Sequence, residues 1–541
     1  MSSIIELLNP MNTVKAIWRV CYVLVQYIII AIFKAPPPKN PDEPRNPYGR
    51  IAVIGAGLTG ISSAAHCISH NFEVVIFEKS PRSGLGGIWS HVNSTSGLQL
   101  NSHLYRFHPG LIWRHAFPLR DEILSEITRI WKEYQLEPRT RFETPVTSVK
   151  RVEDESGSHK WQINDGAEEP FDAVIVNIGT CGKPKWIHLD GMPEGVGGDS
   201  ESDNSDKTLQ TDVFTKPIIH SSQLDSDAVS EDTIKGKKVV VIGSGASGVE
   251  AVETALERGA GEVVMVARTD KSHKTYRNIF FDTFLACQPF GREMPLSFIW
   301  EGIIKRLHYR GVEDLVPAHS GLFEGTPVVN DAFLRHVKNG KCKYVRGDPV
   351  RLTSSGVLTN VRERDTKPGS EGKKETINAE VIVLATGFER PEISFLDDSL
   401  FPEDYQRPDL YLQNFSTEDW SVLLTNSAYM SGIGTVGHFH IGIYTRILLT
   451  LLLDENARPL PKDMKLWVDV VRFMKRGAAG GPLGFFTYAE LTIWVVLFHF
   501  FRSDRLRWFF FILFGWGVHE KEGRGAESGI PMVKIRKEKV H

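Results

Sequence analysis

The sequence predicts an α/β protein organised around two dinucleotide-binding units, with apolar segments at both ends. Three observations carry this. A buried-strand pattern, Ile51-Ala52-Val53-Ile54, runs straight into Gly55-Ala56-Gly57-Leu58-Thr59-Gly60, after which a helix begins. A second run, Val239-Val240-Val241-Ile242, leads into Gly243-Ser244-Gly245-Ala246-Ser247-Gly248 in the same way. Each unit continues into another apolar strand that ends on a charged residue, Glu78 in the first and Arg268 in the second.

In a Gly-x-Gly-x-x-Gly turn the glycines have separate duties: the tight strand-to-helix turn, close approach of backbone N–H groups to a pyrophosphate, and close helix-on-sheet packing. The pyrophosphate sits at a helix N-terminus, where unpaired N–H groups and the dipole favour an anion. Glu78 lies about twenty residues on, the offset at which a carboxylate accepts hydrogen bonds from a ribose. Arg268 holds the equivalent place in the second unit. A guanidinium there suits a 2′-phosphate through charge-assisted bonds, and Lys271 and Lys274 add positive charge. The plain alternative for Arg268 is a solvated surface charge.

At 541 residues the chain is too long for one core, so two or three domains are expected. Its 63 Lys+Arg against 66 Asp+Glu leave no basic footprint, and no nucleic-acid partner is expected. The five cysteines, Cys21, Cys67, Cys181, Cys287 and Cys342, are scattered without a Cys-x-x-Cys pair. Neither a zinc site nor a dithiol redox centre is indicated, and a reducing compartment suits them.

From the N-terminus, Val20 to Phe33 is almost wholly apolar and Ala16-Ile17-Trp18 extends it across Arg19. The pure run is short of the roughly 20 residues a full span needs. Two readings stay open, a membrane anchor and a helix packed on the main body. Ala35-Pro36-Pro37-Pro38 reads as a stiff linker rather than a cleavage site. The basic residues after the segment place the bulk of the chain on the cytosolic side.

Further along, Gly84-Leu85-Gly86-Gly87-Ile88-Trp89 is followed by Leu98-Gln99-Leu100-Asn101. A Gly-Gly-x-Trp after the ribose acid, then Asn in a Leu-Gln-x-Asn context, resembles the flavin-containing monooxygenases, fungal members in particular. Phe214-Thr215-Lys216-Pro217-Ile218-Ile219-His220 is similar to their fingerprint, with Lys216 in place of a glycine and Leu224 in place of an aromatic residue. Ala385-Thr386-Gly387-Phe388 resembles a further motif of the same enzymes.

The resemblance, spanning about Tyr48 to Leu453, implies a two-dinucleotide-binding-domain flavoprotein in which an NADPH domain (221–327) is inserted into an FAD domain (48–220 and 328–455). A hydrophobic segment (1–34) and a proline-rich linker (35–47) precede it, and an apolar tail (456–541) follows. It also implies that Gly55 to Gly60, Glu78, Gly86, Gly87, Trp89 and the backbone at Val146 hold FAD. Gly243, Ser244, Gly245, Ser247, Gly248 and Arg268 would hold NADPH. Asn101 would face the reactive edge of the flavin and hydrogen-bond a flavin C4a-hydroperoxide that oxygenates a small organic substrate with O2. From spacing alone Asn101 is an ordinary turn residue. His220 is read as a structural link between domains.

Strands are expected at Thr144 to Arg151, Trp161 to Asn164, Phe171 to Thr180 and Val381 to Leu384, and a helix over Arg120 to Tyr134. The polar, acidic stretch from Glu194 to Thr211 reads as a disordered insert. The aromatic residues between Asn278 and Gly325 read mostly as core. Two apolar runs near the end, Leu491 to Phe501 and Trp508 to Val518, are each too short to span and are flanked by Arg and Trp, which suits a bilayer interface, with the lining of a buried channel to the flavin as the alternative. The expected location is a membrane surface facing the cytosol, such as the endoplasmic reticulum, with a cytoplasmic enzyme as the alternative. An NADPH oxidase and a non-catalytic membrane flavoprotein remain as rival functions. A disulfide oxidoreductase would need the missing cysteine pair.

Overall fold

The computed structural model describes residues 10–38, 46–98, 101–103, 105–153, 159–196, 212–270, 273–274, 297–318, 328–330, 332–429, 439–478, 483 and 488–518. Two sheets organise them. In the first, β1 (Arg50–Ile54) lies between β2 (Glu73–Phe77) and β6 (Ala173–Val176), with β3 (Thr140–Arg141) and β16 (Val422–Leu423) at the edges; all pairings are parallel. The strands are apolar on both faces because both are covered, as parallel sheets require. Ile51 and Val53 face a core shared with the helices Leu58–Ser69, Arg120–Glu133 and Phe439–Leu453, whereas Ala52 and Ile54 face the hairpin of β4 (Val149–Glu153) and β5 (His159–Ile163).

The second sheet has seven strands. β8 (Lys238–Ile242) lies between β9 (Glu262–Ala267) and β15 (Val381–Leu384), with β7 (Ile218–His220) outside β15. On the other side β12 (Cys342–Thr353) pairs with β9 in parallel and then with β13 (Gly356–Val361) and β14 (Lys373–Asn378) antiparallel. Between β9 and β12, the two-residue strands β10 (His273–Lys274) and β11 (Val328–Val329) pair with each other.

Three expectations are corrected here. The segment 144–148 is not a strand: Pro145 lacks a donor and Asn164 Oδ1 takes the Thr147 N–H (2.8 Å), so β4 starts only at Val149. Val146 is therefore a loop residue packed at the edge of the first sheet's outer core. The chain does not leave the second sheet near Val328, because β12 to β15 all belong to that sheet, and the sheet already includes β7 before residue 221. The return comes after Leu384. Finally, Phe298 is 68 % exposed on the helix Ser297–His308 and is not core. Ile279, Phe280, Phe281, Phe284 and Phe290 lie outside the described residues, as do Lys271, Cys287, His438 and 197–211 of the acidic insert.

The first and last helices among the described residues meet. The helix Pro10–Phe33 and the short helix Phe509–Phe514 touch through Phe33 and Phe514, stacked at 5.4 Å, and Trp516 Nε1–H donates to Ile32 O (2.9 Å). Arg446, wholly buried on the helix Phe439–Leu453, donates to Ile512 O and Leu513 O, so the last turn of the C-terminal helix is tied to the first core. No helix among the described residues is long and apolar enough to cross a membrane.

Candidate functional site: two nucleotide crevices and their seam

The first glycine turn follows β1 as the spacing requires. Gly55 has φ +102°, and its N–H donates to Phe77 O. A Cβ on Gly60 would lie 1.9 Å from Gly55 O, so the third glycine is required for the helix to start against the strand. Ala56, Gly57, Leu58 and Thr59 form the turn and the first residues of the helix Leu58–Ser69, with Gly57 at its N-cap and no side-chain cap bond. That leaves backbone N–H groups for an anion.

Glu78 is buried at the end of β2. Its carboxylate accepts from Ala56 N (2.7 Å) and from Ser80 N (2.8 Å), which fixes the acid beside the turn with lone pairs to spare for ribose hydroxyls. Gly86 and Gly87, both at positive φ, carry the next loop across the fingerprint: Gly86 N donates to Ala56 O, and a Cβ on Gly87 would meet Gly57 Cα at 3.1 Å. Trp89 packs on the first core just beyond.

Two residues at this crevice have no counterpart in the sequence reading. Asn177, at the end of β6, is buried with both side-chain amide atoms lacking a protein partner. Its main-chain oxygen lies 2.5 Å from where a Gly55 Cβ would be. Asn426 donates from Nδ2 to Thr59 Oγ1 (3.0 Å). An unpartnered buried amide and a helix N-terminus as donors, with an anchored acid as acceptor, fit a dinucleotide. Spacing in one sequence could not have found either asparagine, since each reaches the turn only through the sheet order.

The second turn repeats the first. Gly243 has φ +120° and donates to Val266 O, and a Cβ on Gly248 would meet Gly243 O at 2.1 Å. Ser244 Oγ donates to Thr269 O (2.9 Å), Ser247 lies in the first turn of the helix Ala246–Glu257, and Gly245 is its N-cap. Among the described residues nothing lies within 4 Å of where a Gly245 Cβ would be. Arg268 is exposed at the end of β9, and its main-chain oxygen is held by Arg362.

The two crevices are joined by residues 93–96. Asn93 binds Ser221 O and Asp225 N, Ser94 binds the Asp225 carboxylate, Thr95 meets Thr254, and Ser96 Oγ donates to Glu250 (3.0 Å) on the second unit's helix. Burial pushes the Glu250 carboxyl up to about 7. Asn101 follows this seam. It is buried, and its Oδ1 accepts from His103 N (3.0 Å), the bond of a turn residue. His220 is buried with Nε2 bonded to Gly387 O and Nδ1 to Ser222 Oγ, a link between β7 and the Ala385-Thr386-Gly387 turn. Burial lowers its pKa, and its contacts are structural.

Among the described residues no group of His, Cys, Asp or Glu could hold a metal, and the cysteines are free and unpaired with one another. The model of the pyridine nucleotide-disulphide oxidoreductase family matches residues 49–280. A Baeyer–Villiger monooxygenase of Pseudomonas aeruginosa is 28 % identical over 210 residues, 38 % of this chain and 34 % of its own length. Flavin-containing monooxygenase 5 of Cavia porcellus is 24 % identical over 401 residues, 67 % of this chain and 68 % of its own. The matched stretch is thus about a third of the first relative and about two thirds of the second. A crystal structure of OTEMO in complex with FAD and NADP has the same fold, with a TM-score of 0.57 at 17 % identity over 80 % of this chain and 91 % of that one. This chain is a homologue of the flavin-containing and Baeyer–Villiger monooxygenases.

Proposed function

We propose that the protein is an NADPH- and O2-dependent FAD monooxygenase acting on a small organic substrate. The observation that carries this is the pairing of two unlike crevices across one seam: an acid-ended crevice closed over by the Gly86–Gly87 loop, and an arginine-ended one that no described residue crosses at Gly245. A buried acid suits the free ribose of FAD; an arginine suits the 2′-phosphate of NADPH. Bound FAD supplies the two-electron and oxygen chemistry, and the protein binds, orients and excludes water. The balance is substrate + NADPH + H+ + O2 giving oxygenated substrate + NADP+ + H2O. Asn101 is the residue that the resemblance puts at the reactive edge of the flavin.

The resemblance to fungal members supports a substrate among secondary metabolites such as polyketides, with epoxidation as one outcome. Oxygen uptake and NADPH oxidation by the purified protein, with and without candidate substrates, test the reading. Oxygenated product with low peroxide is expected. Peroxide alone (NADPH + H+ + O2 giving NADP+ + H2O2) would make it an oxidase, and no turnover would make it a scaffold.

The same reading places the enzyme on a membrane surface, the cytosolic face of the endoplasmic reticulum being the favoured one. Trp18, Val20, Leu24, Tyr27 and Ile28 of the N-terminal helix are exposed, as are Phe510 and Trp516 of the C-terminal segment that touches it. So large a joint apolar surface supports an interfacial seat rather than a span.

A further inference from the structure

The N-terminal helix has a second, polar face, and it meets the loop that carries Asn101. Tyr22 and Gln26, one turn apart, are both buried among otherwise exposed neighbours. The Tyr22 hydroxyl bonds Ser102 Oγ and donates to His115 O (2.9 Å). Its main-chain oxygen accepts from His103 Nε2 (3.1 Å), and its ring lies 4.1 Å from the His103 ring. Burial lowers the His103 pKa, which suits a neutral ring whose one N–H is spent on Tyr22. The two residues after Asn101 are therefore both gripped by one helical side chain and its carbonyl.

Gln26 holds the other end of the loop. Its Nε2 donates to Trp113 O (2.9 Å), while Oε1 accepts from Trp113 N (2.7 Å) and Arg106 Nη1 (3.1 Å). Arg106 is fully buried; its other bonds here go to Pro109 O and Leu111 O. Taking the helix away would strand the Trp113 backbone pair and weaken the solvation of a buried guanidinium. A membrane anchor needs none of these bonds, since an apolar helix binds a bilayer by area alone.

We propose that the N-terminal helix is a clamp on the Asn101 turn, with Tyr22 and Gln26 as positioning residues for the chemistry at that site. The inference rests on the monooxygenase reading and goes beyond it, because it makes the segment before the first nucleotide unit part of the active-site support. Asn101 Oδ1 is held by His103 N, His103 by the Tyr22 carbonyl, and Ser102 between them by the Tyr22 hydroxyl, so the turn that carries the Asn101 side chain is fixed at both residues after it.

Tyr22→Phe in the full-length FAD-loaded protein tests this, since it removes one hydroxyl and keeps the ring and the helix. Hydrogen exchange at residues 101–106 is expected to rise roughly five- to tenfold, one hydrogen bond's worth. The fraction of NADPH electrons leaving as H2O2 is expected to rise several-fold, with FAD content and the NADPH KM unchanged. Cys21→Ser, on the exposed side next to it, should move neither reading. Unchanged exchange overturns the clamp. Faster exchange with unchanged peroxide overturns the positioning role. A wild-type protein that oxidises no NADPH overturns the monooxygenase reading and the positioning role together, and the exchange result then reports only a structural contact. Gln26→Glu, which keeps the acceptor for Arg106 but cannot donate to Trp113 O, should give the same pair of changes if the fold survives; Tyr22→Phe decides if it does not.

Discussion

The two glycine turns are built alike and finished differently. Each opens on a glycine at positive φ, and each third glycine leaves no room for a Cβ against the first. In each a strand-end residue closes behind: Asn177 after β6 and Ala385 after β15, whose main-chain oxygens would lie 2.5 and 2.4 Å from a Cβ on Gly55 and Gly243. The difference is the cover. Gly57 is crossed by the Gly86–Gly87 loop, and Glu78 is locked to the turn by the Ala56 N–H and braced by the Ser80 N–H. No described residue crosses Gly245, and Arg268 is exposed. One scaffold thus makes a closed crevice suited to a resident cofactor and an open one suited to a nucleotide that enters and leaves each cycle.

The largest break of this symmetry comes from the central glycines. Gly57→Ala adds a methyl that meets Gly87 Cα at 3.7 Å and Gly86 O at 4.0 Å, ordinary contacts, so the fold is expected to survive while the pyrophosphate loses its closest approach. Purified Gly57→Ala should carry almost no FAD by absorbance. Gly245→Ala, with nothing within 4 Å, should keep full FAD and raise the NADPH KM at least about tenfold. A Gly57→Ala protein that retains its flavin would overturn the assignment of the first crevice.

A smaller effect separates the two strand-end charges. Losing charge-assisted hydrogen bonds to a 2′-phosphate costs about 1.5–3 kcal/mol. Arg268→Ala should therefore raise the NADPH KM roughly tenfold or more and leave NADH within about twofold. Steady-state kinetics with both nucleotides decide it. Equal effects would return Arg268 to a solvated surface charge.

The comparison also marks what a sequence can hold. Both turns were legible because their glycines, strands and end charges are adjacent in the chain, and local sterics alone demand them. The helix Arg120–Glu133 was legible from its period. The rest depends on contacts between distant residues. Asn177 and Asn426 reach the first turn through the sheet order, and the Ser96–Glu250 seam joins residues 154 apart in the chain. Tyr22 and Gln26 were hidden inside an apolar run, where a hydroxyl and an amide looked incidental. The return from the second sheet was misplaced because β12 to β14 extend that sheet by antiparallel pairing, which no glycine motif announces.

The seam itself gives the smallest effect and the sharpest sign. Glu250 is partly buried and bonded by Ser96 Oγ, with Glu253 on its own helix and Cys181 from the loop after β6 close by, and no cation among the described residues offsets it. Burial raises its carboxyl to about 7, above the ordinary glutamate value, so the folded chain holds a proton that the unfolded chain releases. Its contribution is fully present below the unfolded value and is lost as pH rises towards 7. Glu250→Gln keeps an acceptor for Ser96 and carries no charge to bury. It should therefore melt higher than the wild type at pH 8, by roughly 2–4 °C for each kcal/mol relieved, with the gap closing towards pH 5. Thermal melts across that range check the sign. A gap that widens as pH falls would mean that the carboxylate is the favoured form, and that the seam between the two crevices is held by a charge and not by a neutral hydrogen bond.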